Sequence, residues 1–190
     1  MTVGEAQGLD GDLARAVKLV VLDVDGVLTD GGIYVGVTAS REAVELKRFD
    51  SQDGLGVKML LWAGIEVAMV SGRVSEATSL RAAELGVTEC HQDAGAKKLP
   101  IVRDLLERKG LEWGDMAMVA DDLADLPVLL RAGLRIAVAN AVPEVTKVAH
   151  WCTRAGGGEG AVREFSRALL SARGEWERLV DEYVEQRSDD

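Results

Sequence analysis

The chain has 190 residues, 47% of them hydrophobic and 4% aromatic, and 22 Lys and Arg stand against 32 Asp and Glu for a formal charge of −10. That length fits one domain able to bury a sizeable core without disulfide or metal staples. The acidic balance excludes a broad nucleic-acid or anionic-membrane surface, since both rely on clustered Lys and Arg, and leaves small anionic substrates that meet a cation or a local basic pocket.

Residues 1–15 are small and polar and are expected to be a disordered extension; they lack the basic and apolar regions of a signal peptide. The first buried strand is predicted at Lys18–Leu22, a β-branched run of the kind that is covered on both faces. Gly31–Gly36 and Ala43–Phe49 read as two more strands around a polar stretch, Thr38–Glu42, and form an expected hairpin. Beyond it, strands at Ile65–Val70, Val87–His91, Met116–Ala120 and Leu134–Val138 alternate with helices at Gly54–Trp62, Ser75–Leu85, Leu99–Lys109, Leu123–Arg131 and Pro143–Val148. Gly86, Gly110 and Gly133 mark helix stops. Trp176, Leu179, Val180, Tyr183 and Val184 recur at helical spacing near the end, a stripe that packs on the body or on a second subunit.

Such alternation implies right-handed βαβ crossovers. The expected fold is α/β: a three-layer, Rossmann-like parallel sheet with helices on both faces and a hairpin inserted after the first strand. The main domain is expected over 16–172, with a helical tail over 173–190. No apolar run approaches the ~18 residues of a membrane span, and Cys90 and Cys152 are too isolated for a disulfide framework or CxxC metal site. A cytoplasmic setting with reduced, half-buried thiols is the expectation.

In such sheets ligands bind beyond the carboxyl ends of the strands. Four features lie there. Asp23 and Asp25 follow the first strand and can reach one pocket when the chain turns at Gly26; an ordinary Asp-Gly turn is the plain alternative. A calcium loop fails, because Val27 and Tyr34 occupy places that need oxygen ligands. Asp121, Asp122 and Asp125 follow Met116–Ala120; helix capping explains one of them well and three poorly. Two acidic clusters at the ends of two parallel strands together make a hard-oxygen site suited to Mg²⁺. Ser71 and Gly72 end a strand, either as an anion-binding turn or as a turn alone. Lys97 and Lys98 open a helix whose dipole disfavours them, which suits a ligand or a solvated pair equally.

Taken in order, Asp-x-Asp, Ser, Lys and Asp-Asp-x-x-Asp resemble the haloacid dehalogenase superfamily of phosphotransferases over residues 18–125. DVDGVLTDGGIY, LKRFDSQDGLGVK, SGR, HQDAGAKKL, ADDLADLPVL and AGGGEGAVREF resemble, more narrowly, its cap-less 3-deoxy-D-manno-octulosonate 8-phosphate phosphatases over about 18–172. The resemblance implies a Mg²⁺-dependent phosphomonoesterase with Asp23 as nucleophile and Asp25 as general acid and base. It also implies Ser71 and Lys98 on the phosphoryl oxygens, and Asp23, Asp25, Asp121 and Asp125 as the metal site. Asp50, Ser51, Gln52, Asp53, Gly54, Lys58, Arg73 and Arg81 fall where these enzymes contact the sugar acid or its surroundings.

The resemblance further implies a homotetramer in which hairpins associate and a neighbour's tail, near Gly156–Gly160, approaches the site. There is no cap domain: Asp30 to Glu66 holds only a hairpin and a helix. Gln52 replaces an expected Arg, Lys58 stands where Arg is common, and Glu159 stands in a segment that usually reads Gly-Gly-Arg-Gly. Gly157-Gly158-Glu159-Gly160 is closer to the nonulosonate 9-phosphate phosphatases. The alternatives are therefore a nine-carbon sugar acid phosphate, or a non-catalytic oligomeric module associated with sugar activation.

Overall fold

A computed structural model of the chain describes residues 8–188. Its centre is a six-stranded, all-parallel sheet. In chain order the strands are β1 (Leu19–Leu22), β4 (Glu66–Ser71), β5 (Glu89–Gln92), β6 (Met116–Ala120), β7 (Leu134–Ala137) and β8 (Trp151–Cys152). The spatial order is β5-β4-β1-β6-β7-β8, which puts β1 in the middle, between β4 and β6. A separate antiparallel hairpin, β2 (Tyr34–Val37) with β3 (Ala43–Leu46), follows β1.

Period-two alternation divides the strand side chains between two cores. Val20 and Leu22 of β1 share one core with Val67, Met69, Ala117 and Val119; Leu19 and Val21 share the other with Ala68, Val70, Met116 and Met118. Helices α1 (Gly11–Ala16), α2 (Ser51–Trp62), α3 (Glu76–Leu85), α7 (Ala161–Ala172) and α8 (Trp176–Glu185) supply the first core. The second is closed by α4 (Lys98–Lys109), α5 (Leu126–Leu129) and α6 (Pro143–Val148). The expected three-layer α/β sheet with a hairpin and no cap is the fold observed.

The differences are local. Part of the extension expected to be disordered is ordered: Asp10 caps α1 through the Asp12 and Leu13 N–H groups, and Ala14 is fully buried, whereas residues 1–7 lie outside the described residues. Leu123–Arg131 is not one helix. Asp122 caps a 3₁₀ turn at Leu123–Asp125, and α5 follows with Pro127 in its first turn, where a missing N–H costs nothing. Helix α7 was not expected, although Val162, Phe165, Leu169 and Leu170 carry a helical apolar stripe and are fully buried against α2. The C-terminal stripe packs on the body through Trp176 and Leu179, with Arg163 of α7 4.6 Å above the Trp176 ring, while Val184 stays exposed. Among the described residues no helix is long and apolar enough to cross a membrane.

Candidate active site

The carboxyl ends of β1, β4 and β6 meet at one cavity of about 220 Å³, lined by Asp23, Asp25, Gly72, Arg73, Ala96, Lys98, Asp121, Asp122, Ala124 and Asp125. Beyond β1 the chain leaves the pleat in a wide turn over Val24–Leu28, with Gly26 at φ +100°. A Cβ on Gly26 would lie 2.0 Å from Asp121 Oδ2, so conformation and space both require glycine there. Thr29 ties the turn together: its hydroxyl donates to the Val24 carbonyl and accepts from the Gly26 and Gly31 N–H groups.

The turn gives the two carboxylates different partners. Asp23 is buried and receives a hydrogen bond from Lys98 Nζ at 2.5 Å. Lys98 also donates to Asp125 Oδ1 at 2.6 Å, and the Asp121 N–H donates to Asp125 Oδ2 at 3.3 Å. Asp125 thereby orients both the lysine and the loop that carries Asp121. Asp25 points elsewhere, to the Ser71 hydroxyl at 3.0 Å and to the Lys47 ammonium, with which it forms a close ion pair. Ser71 Oγ in turn accepts from the Arg73 N–H at 3.0 Å.

Burial dominates the electrostatics. Loss of water pushes Asp23 well above the usual carboxylate range, and the charge of Asp125 adds to that against the opposing pull of Lys98. Burial likewise raises Asp121 to about 6, with the charges of Asp125 and Asp122 in support. For Lys98, burial acts to lower the ammonium, but Asp23 and Asp125 together more than offset it and hold it above the ordinary lysine value. A site that concentrates this much negative potential is built for a cation.

Asp23, Asp121 and Asp125 can bring one oxygen each within 4.8 Å of one another, and Asp121 Oδ1 is buried with no hydrogen-bond partner. An orphaned buried carboxylate oxygen among acids is the donor set that a hard divalent ion satisfies. The Asp25 carboxylate lies outside this cluster, held by Lys47 and Ser71; the resemblance gives Asp25 to the ion through its main-chain carbonyl. Asp122 is exposed and caps the 3₁₀ turn through the Leu123 N–H, as the capping alternative for one Asp of the cluster required.

Of the residues expected near the sugar acid, only Arg73 lines this cavity, and it is paired with Glu45 at 2.8 Å. Ser51, Gly54, Lys58 and Arg81 line a second cavity of about 310 Å³ beside Trp62, Tyr183 and Arg187. Asp50 is the N-cap of α2, accepting from the Gln52 and Asp53 N–H groups, and Gln52 itself is exposed. Asp53 is buried beneath α7, where its oxygens accept from the Arg163 N–H at 2.8 Å and the Gly160 N–H at 3.3 Å. Arg81 braces this corner through the Asp50 carbonyl and Glu84.

The segment expected from a neighbouring subunit is used in the same chain. Gly157 packs so tightly on the catalytic turn that a Cβ would lie 1.8 Å from the Gly26 carbonyl oxygen, and the Gly158 N–H donates to the Val27 carbonyl at 3.0 Å. Asn140 joins the two: its side-chain NH₂ donates to the Gly26 carbonyl at 3.0 Å, while its oxygen accepts from the Gly157 N–H at 2.6 Å. Asn140, Lys47 and Glu45 were not singled out from sequence; each acts on a partner distant in the chain, and no local motif marks it.

Comparisons with known proteins place this architecture. Residues 92–163 match the family model of haloacid dehalogenase-like hydrolases. The 3-deoxy-D-manno-octulosonate 8-phosphate phosphatase KdsC of Escherichia coli K12 is 43% identical over 161 residues, 85% of this chain and 83% of that protein. The chain belongs to this phosphatase family. Its solved relatives share the fold as well as the sequence. A probable YrbI family phosphatase from Pseudomonas syringae pv. phaseolica superposes with a TM-score of 0.84 at 43% identity, covering 92% of this chain and 96% of the other. The 3-deoxy-D-manno-octulosonate 8-phosphate phosphatase of Moraxella catarrhalis, solved with magnesium, phosphate and KDO, gives 0.84 at 34% identity, covering 91% and 97%. The phosphatase is thus a phosphoric monoester hydrolase built on the cap-less haloacid dehalogenase fold.

Proposed function

We propose that the phosphatase hydrolyses 3-deoxy-D-manno-octulosonate 8-phosphate with Mg²⁺ through a phosphorylated Asp23. The observation that carries this reading is that buried Asp23 meets Lys98 and lies close to Asp121, while Asp25, two residues on, is held on Ser71. The names of the KdsC and Moraxella relatives support the choice of ester.

Asp23 and Asp121 would hold Mg²⁺, with Asp125 fixing Asp121 from behind; the ion supplies charge neutralisation between carboxylate and phosphate dianion. Lys98 holds Asp23 by one oxygen, which leaves the other free to attack phosphorus. Ser71 and Lys98 offer an O–H and N–H groups to the phosphoryl oxygens. Asp25 gives its proton to the departing sugar oxygen and then takes one from the water that cleaves the aspartyl-phosphate. Arg73 supplies the positive charge at the cavity mouth toward the substrate's carboxylate.

Ile33, Tyr34, Val35, Val37 and Leu46 of the hairpin region are all exposed, and they support the expected association of hairpins in a homotetramer.

The test is phosphate release by wild type and Asp23→Asn, with Mg²⁺ or with chelator, on eight-carbon and nine-carbon keto-deoxy sugar acid phosphates. Wild type with Mg²⁺ is expected to prefer the eight-carbon ester, and Asp23→Asn to lose at least about 10³-fold, because no other side chain can accept the phosphoryl group. Equal release by the two proteins overturns the assignment of Asp23, and preference for the nine-carbon ester overturns the substrate.

A further inference from the structure

The hairpin reaches two residues of the cavity lining, Asp25 and Arg73, through two side chains of one face. Glu45 and Lys47 are two residues apart, so both point the same way from the extended chain, while Leu46 between them is exposed. Glu45 pairs with Arg73 at 2.8 Å, and Lys47 pairs with Asp25. The Lys47 side chain is only 3% exposed, and a lysine that deeply desolvated is kept there by its partner. Glu45 Oε1, buried and without a hydrogen-bond partner, lies 4.0 Å from Lys47 Nζ and backs the ammonium from behind.

We propose that Lys47 is a positioning residue that aims the Asp25 carboxyl at the leaving group; the proposal rests on the phosphatase reading above. Each Asp25 oxygen has its own partner: Lys47 holds Oδ1 and the Ser71 hydroxyl holds Oδ2. Ser71 has a second duty toward the phosphoryl group, and when it turns there Oδ2 is released while Oδ1 stays anchored. Once Ser71 turns away, Oδ2 takes a proton from solvent water; in the first step an Asp23 oxygen bonds to phosphorus, the ester P–O bond breaks with its electron pair going to the leaving oxygen, and the Oδ2 proton moves to that oxygen, leaving Asp25 the carboxylate that Lys47 pairs. A freely rotating Asp25 would deliver that proton with poorer geometry, and misplacement by about 1 Å is enough to slow such a step about a hundredfold. The anchor is registered to the catalytic turn, because Phe49, just past Lys47, bridges to Thr29 at the turn's end.

The experiment compares wild type, Lys47→Met and Lys47→Arg on two esters: the sugar acid phosphate that wild type hydrolyses fastest, whose alkoxide needs a proton, and p-nitrophenyl phosphate, whose leaving group does not. The readout is kcat/KM, which reports only steps through phosphorylation of Asp23. Lys47→Met should lower kcat/KM for the sugar ester by about tenfold or more but for the aryl ester by less than about threefold, and Lys47→Arg should recover most of the loss. Unfolding curves of the three proteins accompany the rates. An equal loss on both esters, or none on the sugar ester, overturns the proposal; where Lys47→Met does not fold, Lys47→Gln takes its place with the same thresholds, and a sugar-to-aryl ratio in Lys47→Gln unchanged from wild type overturns it. Wild type that releases phosphate from neither ester overturns the phosphatase reading first, and is seen before any variant is compared.

Discussion

Asp53 lies beneath α7 with both carboxylate oxygens on N–H groups of its first turn, so it does for α7 what an N-cap does, but from another helix. Burial raises its pKa from the ordinary 3.8 to about 6. Between those values the folded protein keeps a proton that the unfolded chain has lost. Stability from this group is therefore greatest below pH 4 and declines as pH rises toward 6. Asp53→Asn should remove that slope: the stability of wild type relative to the variant should rise on going from pH 7 to pH 4.5 in denaturant titrations, and parallel profiles would refute it. Asp121 offers the companion case. Burial raises its pKa to about 6 and the charges of Asp125 and Asp122 add to that, so Asp121→Asn should be more stable than wild type in chelator. In wild type, Mg²⁺ at about 100 times its Kd should add about 2.7 kcal/mol, and in the variant far less. Thermal unfolding with and without Mg²⁺ checks this; equal Mg²⁺ responses would place the ion elsewhere. Asp23, Ser71, Lys98 and Asp121 were legible because each sits where a buried strand ends or a helix begins. Asp53 was not, because a carboxylate in a helix gives no sign that another helix will start above it.

The hairpin is the element least explained by the chain's own interior. All four residues of β2 are exposed, and Val35 and Val37 are 70% and 75% accessible. Two strands are marginal by themselves, and apolar side chains in this number on a hairpin mark a surface for association. A Val35→Asp, Val37→Asp double variant should fold with stability within about 0.5 kcal/mol per site of wild type, as exposed substitutions do, yet lose self-association. Sedimentation checks it: wild type is expected as a tetramer of the 20.3 kDa chain and the variant as smaller species, whereas a monomeric wild type would refute the assembly. The hairpin's existence was plain from alternation on either side of a polar turn. Helix α7 was not expected although Phe165 and Leu169 are spaced for it, because it starts after a glycine with no capping side chain. The break at Asp125 was not expected either, because that side chain is used by Lys98 and the Asp121 N–H instead of continuing a helix.

At the scale of the whole molecule, the order β5-β4-β1-β6-β7-β8 puts the strand that leads to Asp23 at the centre, flanked by the strands that lead to Ser71 and Asp121. Buried apolar runs alternating with helices made a parallel sheet with its site at the carboxyl ends readable; the strand order was not, because it depends on which runs pair. The closing of the site was not readable, because it depends on contacts with no local signature. Asn140 lies 114 positions from Gly26, and Arg48 donates to the Gly158 carbonyl across 110. A synthesis clock follows from that clasp. Asp23 and Asp25 leave the ribosome early, yet the turn that presents them is clasped only when residues 140–158 arrive, so the nascent chain carries both carboxylates without that clasp for most of its translation. Contacts this distant in sequence make assembly of the site a late and slow event, and the first phosphate released marks the docking of the glycine-rich segment.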